Sequence, residues 1–156
     1  MMKFSKLSTA VLALLVLSGT ATAQMKPEDA IASRQAGYKF MAWNMGRIKA
    51  NVEGQYNKDE VIQAANVIQA IANSGMGKLY LPGTDKGKGF HETKVKPELF
   101  TDKEGVGKVG KAFNEAANEM ARVAATGDQA AVKEQFGKLG QSCKGCHEKF
   151  KVDDKK

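Results

Sequence analysis

Five residues near the end of the 156-residue chain, Cys143-Lys144-Gly145-Cys146-His147, set two thiols and an imidazole at C-x-x-C-H spacing. On a helix, side chains three residues apart are neighbours on one face, so the two thiols can reach the two vinyl groups on one edge of a porphyrin. The imidazole of the next residue is then offered to the iron. The pattern reads as the attachment site of one covalently bound haem c, with His147 as the metal ligand. Other uses of these residues fit less well. A disulfide between Cys143 and Cys146 would close a tiny loop and contribute little stability. A thioredoxin-like redox pair requires a β-α-β setting that the surrounding pattern lacks. A zinc site would need two more ligands, and the only other histidine, His91, stands alone. Only nine residues follow His147, and none is Met or His, so any group on the far side of the iron must come from upstream.

Export agrees with this chemistry, since haem of this kind is attached outside the cytoplasm. Lys3 and Lys6 give a positive start, Ala10 to Leu17 form an apolar run, and Ala21-Thr22-Ala23 supplies a small-x-small cleavage site. Residues 1–23 are therefore read as a cleaved signal peptide and residues 24–156 as one domain in the periplasm. The apolar run is well short of the roughly 20 residues that cross a bilayer, and no later segment is a candidate. With Lys3 and Lys6 removed, 22 basic residues face 17 acidic ones, a mild excess that serves solubility first. The lysines are scattered and lack an aromatic stacking platform, which argues against a nucleic-acid partner. No membrane association is expected either.

The elements that must position the haem are four stretches whose apolar residues recur every three or four positions. The first opens at Pro27, carries Ile31, Tyr38, Met41, Met45, Ile48 and Val52, and ends near Gly54. The second starts with Asn57 and Glu60 in capping-box spacing, runs through Val61, Ala65, Ile68 and Ala72, and stops at Gly75 and Gly77. Thr101 and Glu104 form a second capping box for the third, which runs Val106, Val109, Phe113, Ala116, Met120 and Val123 to Gly127. The fourth is capped by Asp128 and carries Val132, Phe136, Leu139, Cys143, His147 and Phe150. No period-two segment competes, so the fold class is all-α: an antiparallel four-helix bundle with a long connection between helices 2 and 3. That connection, from Asn73 to Phe100, has no periodicity, and Leu79, Tyr80 and Leu81 are its expected anchors to the core.

The chain resembles the cytochrome c′ family, the class II c-type cytochromes with haem near the C-terminus. The resemblance rests on Gln24 to Ala30, Arg34, the Leu81-Pro82-Gly83-Thr84 stretch and Cys143 to His147, and covers essentially all of the mature sequence. It implies a five-coordinate, high-spin iron with His147 as sole axial ligand, able to take the small diatomics NO and CO, with electron transfer to an unspecified redox partner as a further role. By the same resemblance Tyr38 caps the distal face, Arg34 pairs with a haem propionate, Tyr80 borders the haem and Lys151 stands one turn beyond the proximal histidine. Lys151 departs from the family, which commonly has arginine there, and lysine lacks its planar fork of donors. Read from the residues alone, Arg34 could be a solvated arginine and Tyr38 and Tyr80 core aromatics. Met41 and Met45 share the haem-facing stripe, where methionine usually packs. If Met41 or Met45 instead bound the iron, the protein would be a six-coordinate, low-spin His/Met electron carrier. No distal His-Arg pair supports an enzyme such as a peroxidase. A second stripe on the first helix, Ala36, Phe40, Trp43 and Arg47, lies off the core-facing one and suggests a homodimer through helices 1 and 2, which the resemblance also implies.

Overall fold

A computed structural model of the chain describes residues 25–152. The expected signal peptide, residues 1–23, lies outside the described residues. Among the described residues five α-helices follow in order: α1 (Pro27–Glu53), α2 (Lys58–Ala72), the single turn α3 (Glu98–Thr101), α4 (Lys103–Thr126) and α5 (Gln129–Phe150), with a 3-10 turn at Met76–Leu79 after α2. The four long ones form the expected antiparallel bundle, with α1 against α2, α2 against α4, and α4 and α1 against α5. Among the described residues, β pairing is limited to isolated bridges between Lys88 and Glu92 and between Val95 and Lys151.

The helix ends follow from local chemistry. Pro27 occupies the first turn of α1, where its missing N–H costs nothing. The Asn57 side chain accepts the Glu60 N–H at 3.1 Å to start α2, and Asp128 accepts the N–H groups of Ala130 and Ala131 to start α5. At α4 the expected cap is displaced by one residue. Asp102 accepts the Gly105 N–H at 2.8 Å, while Thr101 belongs to α3. Gly105 makes this tight cap possible, because a Cβ there would lie 2.0 Å from an Asp102 carboxylate oxygen.

Inside the bundle the main core joins Met41, Ile48 and Val52 of α1 to Val61 and Ile68 of α2, Met120 and Val123 of α4, and Val132 and Leu139 of α5. α2 and α4 pack against each other, and alanines are prominent among their buried residues, Ala64 and Ala65 on α2 and Ala117, Ala121 and Ala124 on α4. A polar seam closes the α1–α2 turn. Arg47 and Asn51 both reach Glu60, at 3.2 and 3.0 Å, and Asn51 also accepts the Asn57 N–H at 2.7 Å.

The long connection is anchored differently from the sequence-based expectation. Leu79, Tyr80 and Leu81 are only half-buried, and the fully buried residue of the segment is Thr84. Farther on, the Lys96 N–H donates to the Phe150 carbonyl and the Val152 N–H to the Lys94 carbonyl, at 2.9 and 2.8 Å. The connection thus spans from α1 to the end of α5.

The cap assignment is open to a direct check by chemical denaturation. Asp102→Ala should cost about 1 kcal/mol, the usual value of an N-cap, whereas Thr101→Ala should stay within about 0.5 kcal/mol of the parent.

Candidate functional site

Burial along α5 is interrupted where the chemistry lies. Val132, Gln135 and Leu139 are buried, Cys143 and Cys146 are half-buried, His147 is exposed, and Phe150 is buried again. On α1 the same sequence appears: Ala30, Ile31 and Arg34 are buried, Tyr38 is 41% exposed, and Met41 is buried once more. Both helices leave the core in the middle of an apolar stripe and return to it a turn or two later. The electrostatic neighbourhood of Tyr38 includes both cysteines, and that of Tyr80 includes Cys146, so the two interruptions face each other.

On one side of this site stand Cys143, Cys146 and His147. Burial holds both thiols above the ordinary cysteine range, so they are thiols rather than thiolates at neutral pH. His147 is shifted the other way. Protein packed around the ring, and then the nearby Lys151 ammonium, disfavour the imidazolium. A neutral imidazole is the form that can donate a lone pair to a metal. Lys151 itself is fixed in the chain by its bridge to Val95 and by its N–H, which donates to the His147 carbonyl at 3.0 Å.

On the other side Arg34 organises the long connection. Its side chain is 2% exposed. One terminal nitrogen donates to the Thr84 hydroxyl at 2.8 Å and the Leu79 carbonyl at 3.3 Å; the other donates to the Thr84 carbonyl and the Thr93 hydroxyl. The guanidinium also lies 4.7 Å from the centre of the Tyr80 ring, and the Tyr80 hydroxyl donates to that of Tyr38 at 3.0 Å. All four accepting groups are neutral, burial is the main influence on the Arg34 guanidinium and disfavours its charge, and no carboxylate is among the groups that act on it. A guanidinium this buried calls for an anion.

The residues present therefore fit a covalently held haem. Two thiols one helical turn apart, a neutral imidazole beside them and a buried cation opposite match its vinyl groups, its iron and its propionates. Met41, the other sulfur expected near this face, is buried within the main core, and Met45 packs partly buried against it.

Some of the residues that complete the region carried no sequence signal. Thr93 was silent because a hydroxyl in an aperiodic segment reads as loop. Gln35 fastens a turn of the connection to α1: its amide oxygen accepts the Phe90 N–H at 2.9 Å and its amide nitrogen donates to the His91 carbonyl at 2.9 Å. Gly89 lies so close to Ala32 that a Cβ would meet the Ala32 nitrogen at 2.5 Å. The turn presents Phe90, 71% exposed, beside the outer stripe of α1, where Phe40 and Trp43 stack at 5.5 Å and Arg47 lies 5.0 Å from the Trp43 ring. Ala36, Phe40, Trp43 and Phe90 line one shallow groove.

Comparison with known proteins agrees with the resemblance read from the motifs. Residues 29–151 match the family model described as Cytochrome C′. The cytochrome c′ of Allochromatium vinosum is 56% identical over 153 residues, covering 97% of this chain and 99% of that protein. A solved cytochrome c′ characterised by an unusual ligand-controlled dimer dissociation superposes with a TM-score of 0.81 at 59% identity, over 84% of this chain and 100% of the other. A ferrous variant of the cytochrome c′ of Alcaligenes xylosoxidans, solved with bound NO, has a TM-score of 0.74 at 28% identity, over 84% of this chain and 99% of the other.

Arg34 should be a structural centre as well as an anion partner. Arg34→Met removes four hydrogen bonds and leaves buried acceptors behind, a loss of about 2–4 kcal/mol in urea denaturation. A merely solvated arginine would change stability by less than about 0.5 kcal/mol.

Proposed function

The chain belongs to the cytochrome c′ family of c-type haem proteins, and from that premise we propose that it is an exported, periplasmic protein with one haem c that binds small neutral diatomic gases, NO and CO. When bound, the haem supplies an iron centre able to take such a ligand. Cys143 and Cys146 would hold it through thioether links, and His147 would supply the one protein ligand to the iron. Arg34 balances a propionate. Tyr38 and Tyr80 cover the distal face without donating to the metal, so that face is crowded, and crowding of this kind admits a diatomic more readily than a larger or hydrated anion. An electron-transfer role is compatible with the same site; no catalytic residue is assigned.

The observation that carries this reading is the pairing of Tyr38 with Tyr80 opposite the cysteine turn, while Met41 is withdrawn into the core. A methionine already packed among Ile48, Ile68 and their neighbours would have to leave that core to bind metal, giving up roughly 2 kcal/mol or more of buried contact. Support also comes from the family member solved with bound NO. The test is the visible spectrum of the purified, haem-matured protein. High-spin bands that change on addition of CO or NO are expected; a low-spin reduced spectrum indifferent to CO would replace this reading with the six-coordinate His/Met carrier.

The exposed face of α1 is assigned to a homodimer built on α1 and α2, in keeping with the family member whose dimer dissociates under ligand control. Phe40, Trp43 and Phe90 are too large and too exposed together to be ordinary surface. Trp43→Glu would place an unpaired charge in the middle of that face, and sedimentation should then show a monomer at concentrations where the parent protein is dimeric.

A further inference from the structure

The long connection between α2 and α4 does more than cross the bundle. We propose that Tyr80, carried by this connection, is a positioning residue that latches Tyr38 in its covering position, so that entry of a diatomic ligand must break the Tyr80–Tyr38 hydrogen bond. The proposal rests on the gas-binding reading above and assigns the entry barrier within it.

The latch is a closed circuit of contacts between α1 and the connection. Arg34 of α1 binds the carbonyl of Leu79, the residue immediately before Tyr80, and both the hydroxyl and the carbonyl of Thr84 beyond it. The start of the same segment is fixed too, because Met76 packs so closely on α1 that a Cβ at Gly37 would lie 2.7 Å from its sulfur. Held on both sides, Tyr80 is returned to α1 one turn after Arg34, where its hydroxyl meets that of Tyr38 at 3.0 Å. In that bond the Tyr80 hydroxyl donates and the Tyr38 hydroxyl accepts, while the Arg34 guanidinium lies 4.7 Å from the centre of the Tyr80 ring. Tyr38 is otherwise poorly held: it is 41% exposed, while its neighbours on the stripe, Arg34 and Met41, are buried. Its place opposite the cysteine turn therefore depends on a partner from another segment. A hydrogen bond of this kind has a net worth that corresponds to roughly a 2- to 10-fold change in an equilibrium or a rate.

The experiment compares CO association with the ferrous holoprotein, by stopped-flow mixing, for the parent, Tyr80→Phe, Tyr38→Phe and the double variant. Tyr80→Phe keeps the ring and should associate about 2- to 10-fold faster, with little change in dissociation. Tyr38→Phe breaks the same bond from the other side, and adding Tyr80→Phe to it should bring no further acceleration. A Tyr80→Phe protein with parental rates, or one whose acceleration persists in the Tyr38→Phe background, overturns the latch. A parent protein that forms no CO adduct at all removes the gas-binding reading and the latch together; normal binding with flat rates removes the latch alone. A readout independent of gas is the ionisation of Tyr38, followed by ring-carbon NMR. Losing the Tyr80 donor should move it to higher pH, and movement to lower pH would reverse the donor and overturn the proposal.

Discussion

One buried cation organises the half of the molecule that matters for function. Arg34 sits at 2% exposure with both terminal nitrogens committed to Thr84, Leu79 and Thr93. Each of these acceptors belongs to the connection between α2 and α4, a segment with too few apolar residues to bury itself. Hydrophobic burial could not hold such a segment, since its own Leu79, Tyr80 and Leu81 are only half-buried. Directional bonds from a single guanidinium do so instead, and the fork geometry of arginine lets one side chain serve three residues of the connection. Lysine at this place would carry its three donors on one nitrogen and could not spread them over two as the guanidinium does.

The bundle itself was legible because its signals are local. Asn57 and Asp128 cap helices where their side chains reach N–H groups two or three residues on, and the apolar stripes of α1, α2, α4 and α5 fall where the core lies. The displaced cap at α4 shows the limit of such reading. Thr101 and Asp102 are adjacent and both can cap, and the choice between them was made by α3, a turn with no periodic signal that takes Thr101 as its last residue. At the site, sequence marked Cys143, Cys146 and His147 without help from the fold. Arg34 and Tyr38 came through the resemblance. What could not be read was how they are held, because Thr93 and Gln35 act through hydrogen bonds across more than fifty residues of chain.

Tyr38 and His147 also illustrate why an apolar stripe is not the same as a buried one. Both fall on the core-facing register of their helices, yet both are exposed while residues one turn away on either side are not. A continuous stripe in sequence, interrupted in burial at the same level on two facing helices, marks a place where side chains alone do not fill the bundle. The cysteines lie at that level on α5 and the tyrosine at that level on α1.

The placement of small side chains completes this logic. α2 and α4 pack against each other, and alanines are prominent among the residues they bury. The pair that borders the site, α1 and α5, meets less extensively; Tyr38 of α1 lies near Cys143 and Cys146 of α5, while Met41 and Leu139 belong to the core. A flat group between α1 and α5 can therefore be accommodated without disturbing the core that runs from Ile48 to Leu139. Stability and chemistry are divided along the length of the same four helices, and the Arg34 contacts bind the connection to the chemical end.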